Sequence, residues 1–250
     1  MSIQPTDVKT IAPLRNVALM MGLVERLRTR TPGLPGIGVL HGFSGYGKSL
    51  ATTYTANKLR GKAAYVEVRS SWTRKTLMEA LLVELGEPTR SATVATMVDK
   101  AAEALMRERK VLFVDEADHV ADRGMLELVR DLHDIAGTPI VLIGEEGLPR
   151  KIERFERVHN RVLAFEPALP CDRADARHLA KLYCGGIDVA DELLDHLVAA
   201  LGGCTRRVAT NLDLIRETAM VQGWSCVDRA AWGDRPLNTG KAVIRPRGAQ

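Results

Sequence analysis

Two short stretches of this sequence carry residue types that could handle phosphate chemistry. The first is Gly42-Phe43-Ser44-Gly45-Tyr46-Gly47-Lys48-Ser49, a Gly-x-x-x-x-Gly-Lys-Ser pattern between an apolar run that starts at Gly36 and a helix-compatible run from Leu50 to Leu59. Glycines at 42, 45 and 47 let the backbone turn tightly, so successive N–H groups and the following helix N-terminus converge on one anion. Lys48 would then reach the β- and γ-phosphates, and Ser49 would hold Mg²⁺. The phosphate-contacting set is Gly42, Ser44, Gly45, Gly47, Lys48, Ser49 and Leu50. The second stretch runs from Lys110 to Asp118. Its four apolar residues, too few for a helix, deliver Asp115 and Glu116 to the C-terminal end of a strand, the edge where open α/β sheets bind ligands. Asp115 is the candidate for Mg²⁺-bound water, and Glu116 the candidate to orient and partly deprotonate an attacking water.

The elements that must position these groups follow from periodicity. Arg15 to Arg30 carries Val17, Met20, Met21, Val24 and Leu27 at helical spacing, and Pro32 to Gly36 breaks it. Asn16, upstream of the loop, is a candidate contact for the adenine. After the loop helix come a strand over 63–68 and a helix over 73–85. Ser91 is placed to cap the next helix, whose buried face is Val94, Val98, Ala101 and Leu105. Met125, Leu128, Leu132 and Ile135 mark another helix, with Gly137 as its left-handed cap. Strands over 138–143 and 161–165 complete five, separated by helices, which predicts a parallel, helix-covered sheet. From Pro167 strand signals stop, and helices are expected over 174–183, 190–201 and 206–221. The divisions are therefore a leader and helix (1–35), a nucleotide-binding core (36–167), a helical lid (168–231) and a loose basic tail (232–250) carrying Arg235, Lys241, Arg245 and Arg247.

Composition narrows the class. With 46% hydrophobic and 26% charged residues, 250 residues suffice for one α/β domain and an appendage. No apolar run approaches the ~18 residues that cross a bilayer, and no export signal opens the chain, so a cytoplasmic, non-membrane protein is expected. Cys171, Cys184, Cys204 and Cys226 have no zinc-ligand spacing and read as reduced thiols. A net charge of +4 permits nucleic-acid binding without requiring it.

With the glycine loop, the Asp115-Glu116 pair, the five-strand core and the C-terminal helices in place, the sequence resembles the AAA+ ATPases over almost its whole length. The resemblance implies an α/β fold: a five-stranded parallel P-loop AAA+ core with a helical lid, working on ATP with Mg²⁺. It also places Arg161 where the family has an arginine finger acting on a neighbouring subunit, with Arg157 as close substitute. Arg206 falls at the sensor-2 position, with Arg207 as its substitute. The fourth strand departs from the pattern, ending in Ile143-Gly144-Glu145 where the family has Asn, Thr or Ser. Within AAA+ proteins, the compact form and Leu14-Arg15-Asn16-Val17 look most like transposition ATPases of the phage Mu B type. That likeness implies an ATPase that self-assembles as a ring or helical filament on duplex DNA, largely without sequence preference, and delivers it to a transposase.

Arg69-Ser70-Ser71-Trp72-Thr73-Arg74-Lys75 adds residue-level support, because Arg69, Arg74 and Lys75 can neutralise phosphates where AAA+ assemblies present loops to their channel. Alternatives are a helicase-loader-like ATPase, a protein-remodelling or secretion-associated ATPase, and a small-molecule phosphotransferase. Trp72 lacks the apolar and glycine neighbours of a substrate-gripping loop. A phosphotransferase has little need of the catalytic Glu, the boundary arginine and the lid together.

Overall fold

A computed structural model describes residues 14–89 and 93–240, which fall in two compact units meeting in sequence between Leu169 and Pro170. The first unit runs α1 (Arg15–Arg28), β1 (Ile37–His41), α2 (Lys48–Lys58), β2 (Ala63–Glu67), α3 (Arg74–Glu84), α4 (Val94–Glu108), β3 (Val111–Asp115), α5 (Ala117–Asp122), α6 (Leu126–Ala136), β4 (Ile140–Gly144), α7 (Leu148–Glu153), α8 (Glu156–His159) and β5 (Val162–Pro167). Its strands form one parallel sheet in the order β2-β3-β4-β1-β5. Strands β1, β3 and β4 are the inner ones; β3 and β4 are buried at every position, which is why their sequences read as unbroken apolar runs rather than alternating ones. Because all strands run the same way, His41, Glu67, Asp115 and Gly144 end at one edge of the sheet.

Most expected faces are buried, with instructive exceptions. In α1 it is Leu23 rather than Met21 that turns inward, Met21 being 42% exposed and Leu23 1%. Ile135 in α6 is likewise outward, while Met125, Leu128 and Leu132 pack as expected. Ser91 lies outside the described residues; the cap of α4 is Thr93, whose hydroxyl accepts the Thr96 N–H. Gly137 ends α6 in the left-handed conformation.

The second unit contains α9 (Arg173–Tyr183), β6 (Asp188–Val189), α10 (Asp191–Ala200), α11 (Thr205–Gln222), β7 (Cys226–Val227) and α12 (Arg229–Trp232). The three long helices stand where the sequence puts them, and Val208, Leu212, Ile215 and Ala219 of α11 are fully buried. Strand signals do not stop at Pro167 after all, since β6 and β7 form a two-stranded parallel pair. Over 232–240 the chain is held in place rather than loose, unlike the expectation for this part of the tail. Trp232 is 1% exposed, Arg235 lies 5.2 Å over the Trp224 ring, and Asn238 exchanges hydrogen bonds with Asn211. Residues 241–250, with Lys241, Arg245 and Arg247, lie outside the described residues.

Candidate functional site

The β1–α2 connection is a tight loop built on glycine conformations. Gly42, Gly45 and Gly47 have φ of +153°, +85° and +84°, and Gly47 is the N-cap of α2. A Cβ at Gly42 would meet the Ala168 side chain at 3.0 Å, so this position is closed to other residues on two counts. Lys48 opens α2, and its ammonium donates to the carbonyls of Gly42 at 2.6 Å and Phe43 at 3.0 Å. Two of its three hydrogens thus hold the loop. Burial pulls the Lys48 pKa down, opposed by Asp115 first and then Glu116, Glu145 and Asp118. Those carboxylates keep the ammonium charged in a half-buried place. Ser44 and Ser49 are exposed, and Gly45 and Leu50 half-exposed.

Asn16 supports this loop from behind. Its amide hydrogens go to the carbonyls of Tyr46 (2.7 Å) and Leu169 (2.9 Å), while its oxygen accepts the Leu169 N–H at 2.8 Å. With both donors engaged and 6% exposure, Asn16 ties α1 to the loop and to the end of the unit. That is a different task from the expected contact with a base, and three long-range bonds of this kind leave no signal in local sequence.

Asp115 closes β3 and is 3% exposed. Its Oδ1 accepts the Glu116 N–H at 2.9 Å, and its Oδ2 accepts the Tyr65 hydroxyl at 2.8 Å. The Tyr65 phenol is pushed far above its ordinary pKa, by burial first and then by Asp115, so it keeps the proton that it donates to Asp115. Glu116 is exposed and sits at φ +54°, in the left-handed region that non-glycine residues seldom occupy. Although its surface is exposed, partial desolvation of the carboxylate at this turn, and then Asp115, raise its pKa. At the end of β4, a Cβ on Gly144 would lie 2.3 Å from Asp118 Oδ2. The volume that a polar side chain would fill there is occupied by Asp118, which accepts the Glu145 N–H at 2.6 Å and pairs with Lys151 at 3.0 Å.

A hard, single-carboxylate donor set of Ser49 hydroxyl and Asp115 suits Mg²⁺, which keeps several waters and leans on substrate phosphates rather than on a protein cage. Among the described residues no cluster of three or more His, Cys, Asp or Glu could hold another metal. The residues present therefore fit a magnesium nucleotide.

Residues 31–152 match a family model described as an AAA domain. Nearly half of the chain is thus similar to an AAA domain. Solved structures share the AAA+ P-loop fold at low identity. The Aeropyrum pernix ORC2 protein (ADPNP-ADP complexes) is 15% identical, with 90% of this chain and 68% of that one covered at a TM-score of 0.67. The Aeropyrum pernix ORC1 protein in complex with DNA is 18% identical, with coverage of 91% and 65% and a TM-score of 0.65. Cdc6p from Pyrobaculum aerophilum is 15% identical, with coverage of 90% and 66% and a TM-score of 0.60. The chain thus spans about two thirds of the length of these proteins, and the likeness is one of fold. No curated protein matches the sequence significantly.

The remaining candidates fall on other elements. Arg161 precedes β5 and is held by Asp134 of α6 through two hydrogen bonds of 3.1 and 3.0 Å; Arg157 is exposed. Arg206 and Arg207 are exposed in the first turn of α11, in the second unit. Arg69, Arg74 and Lys75 are exposed around the start of α3, whose N-cap Thr73 accepts the Thr76 N–H. Arg74 donates to the Gly124 carbonyl at 3.1 Å, and Lys75 pairs with Glu79 at 3.8 Å. Trp72 packs partly on the core, which removes it as a gripping side chain. No helix among the described residues is long and apolar enough to cross a membrane.

Proposed function

We propose that the chain is an ATP-dependent DNA-binding AAA+ ATPase that assembles on duplex DNA and delivers it to a transposase. The observation that carries the enzymatic part is the meeting, at one sheet edge, of the glycine loop with Lys48 and the Asp115-Glu116 turn. In this reading the loop's N–H groups and Lys48 bind the β- and γ-phosphates, the ammonium exchanging loop carbonyls for phosphate oxygens. Ser49 and Asp115 would hold Mg²⁺, which would supply charge neutralisation on the phosphate oxygens. Glu116 orients the attacking water and takes its proton. Asn16 serves the site by fixing the loop. Arg206 is assigned to the nucleotide, and the arrangement of two cations in the first turn of α11 supports a task for it, because cations there oppose the helix dipole.

Arg161 is assigned to a neighbouring copy's phosphates. It must first leave Asp134, a pair whose side chains are 38% and 39% exposed. Exposed pairs are worth about 0.2–1 kcal/mol, little beside the factor of about 10³–10⁵ that such an arginine contributes in GTPases. The pair is therefore no obstacle to a finger that acts only on assembly.

Arg69, Arg74 and Lys75 are assigned to DNA phosphates. Cations at the positive end of α3 raise the local potential instead of offsetting it, which suits an anionic partner. Transposase delivery rests on the sequence likeness to Mu B-type ATPases. A second reading, an initiator- or helicase-loader-like ATPase, is favoured by the fold shared with an ORC1 protein in complex with DNA. The test of the shared part is ATP turnover with and without duplex DNA. Stimulation is expected; turnover indifferent to DNA at saturating concentration would contradict both readings and favour the protein-remodelling or phosphotransferase alternatives.

A further inference from the structure

We propose that Tyr65 is a positioning residue that fixes the Asp115 carboxylate and thereby sets the metal affinity of the nucleotide site. The inference rests on the reading of Asp115 as the metal carboxylate. Strand β2 lies beside β3 with Glu67 opposite Asp115 and Tyr65 opposite Phe113. Residues in register on parallel strands share a face, as do residues two apart along one strand, so Tyr65 is on the Asp115 side of the sheet. Two residues of strand span about 6.6 Å. A long, rigid phenol covers that distance, where Ser or Thr at the same position would not.

The hydroxyl reaches Asp115 Oδ2 at 2.8 Å, and the Glu116 N–H reaches Oδ1 at 2.9 Å. The Asp χ2 torsion is broad and roughly two-fold, so a carboxylate gripped at one oxygen can still turn. Donors on both oxygens fix its plane, and each oxygen keeps a second lone pair for another ligand. The Val68 N–H also donates to the Asp115 carbonyl at 3.0 Å, so side chain and backbone of this residue are both held from the β2 segment. Glu67, the register partner, offers no donor.

The test uses the full chain and N-methylanthraniloyl-ADP, whose fluorescence reports binding without turnover, titrated with MgCl₂ from an EDTA-containing buffer. Tyr65→Phe keeps the ring and removes only the hydroxyl. Loss of a partner that orients a metal ligand typically lowers metal affinity about 10- to 100-fold. The Mg²⁺ midpoint of Tyr65→Phe is expected to rise about tenfold at the lower end of that range, with metal-free nucleotide affinity unchanged; the melting temperature in EDTA should fall only by the loss of one hydrogen bond to a buried carboxylate. Equal midpoints would overturn the inference. So would a parallel loss of metal-free nucleotide affinity, which assigns Tyr65 to general support. In an Asp115→Asn background, adding Tyr65→Phe should leave the midpoint where it is; a further tenfold rise there would show that Tyr65 acts through another group. Wild-type binding with no dependence on Mg²⁺ would overturn the metal assignment itself, and the inference with it.

Discussion

In the proposed function, Lys48 is the residue on which nucleotide binding turns. Its ammonium is the cation of the loop, kept charged against burial by Asp115, Glu116 and Glu145. Lys48→Ala is expected to abolish nucleotide binding in equilibrium titration, and wild-type affinity in that variant would contradict the site. Glu116→Gln keeps the shape of the turn and removes the base, so it should bind ATP and hydrolyse it poorly; normal turnover would move the role to a neighbour such as Glu145. A separate prediction concerns His133, whose Nδ1 is 3.0 Å from the Thr138 carbonyl and therefore carries the proton. Burial lowers its pKa, and the Thr138 bond only partly offsets this. The folded pKa then lies below the unfolded value of about 6.5. Stability from this group is full above about pH 6.5 and falls as pH drops towards the lowered folded value. His133→Gln should flatten the melting temperature between pH 7.5 and 5.5. An unchanged slope would assign it to other groups, such as His41, which burial also lowers. Lys48, Ser49, Asp115 and Glu116 were legible because spacing along the chain defines them. Tyr65, the Asn16 bonds and the Arg161–Asp134 pair were not, because each joins residues far apart in sequence.

Among the elements, β1, β3 and β4 were readable because inner parallel strands demand short apolar runs. β6 and β7 escaped because two residues each give no periodicity. Faces were less certain than elements, as Met21 and Ile135 illustrate: a wide apolar stripe on α1 or α6 does not say which of its edges meets the sheet. The end of β4 is where the structure explains an odd sequence. Gly144 is there because Asp118 fills the space beside it, so Gly144→Ala should force Asp118 or Leu148 to move and destabilise by about 1–3 kcal/mol, as overpacking does. Urea unfolding checks this, and a neutral result would show that the turn yields easily. In the second unit, Leu212→Ala should cost about 2–5 kcal/mol, since Leu212 is fully buried on α11.

For the whole molecule the claim is that copies of the chain act together on DNA. Arg161→Ala should lower hydrolysis while leaving the fold intact, and mixing it with Lys48→Ala should restore activity if the arginine serves a neighbour's site. Failure to recover at any ratio that forms mixed assemblies would remove the support for action in trans. The most direct measurement is the salt dependence of duplex DNA binding with Mg²⁺·ATP and without nucleotide, for wild type, Arg74→Ala, Lys75→Ala and a chain ending at Gly240. Cutting at Trp232 would also remove Arg235 and Asn238, which are bonded within the second unit, so the later end point isolates the basic tail. Binding is expected to require ATP, to ignore base sequence, and to lose about 0.9 in log–log salt slope for each phosphate contact removed. Repetition along an assembly should magnify each loop substitution. Nucleotide-independent binding, or binding abolished by the truncation while both loop variants keep affinity and slope, would contradict the account.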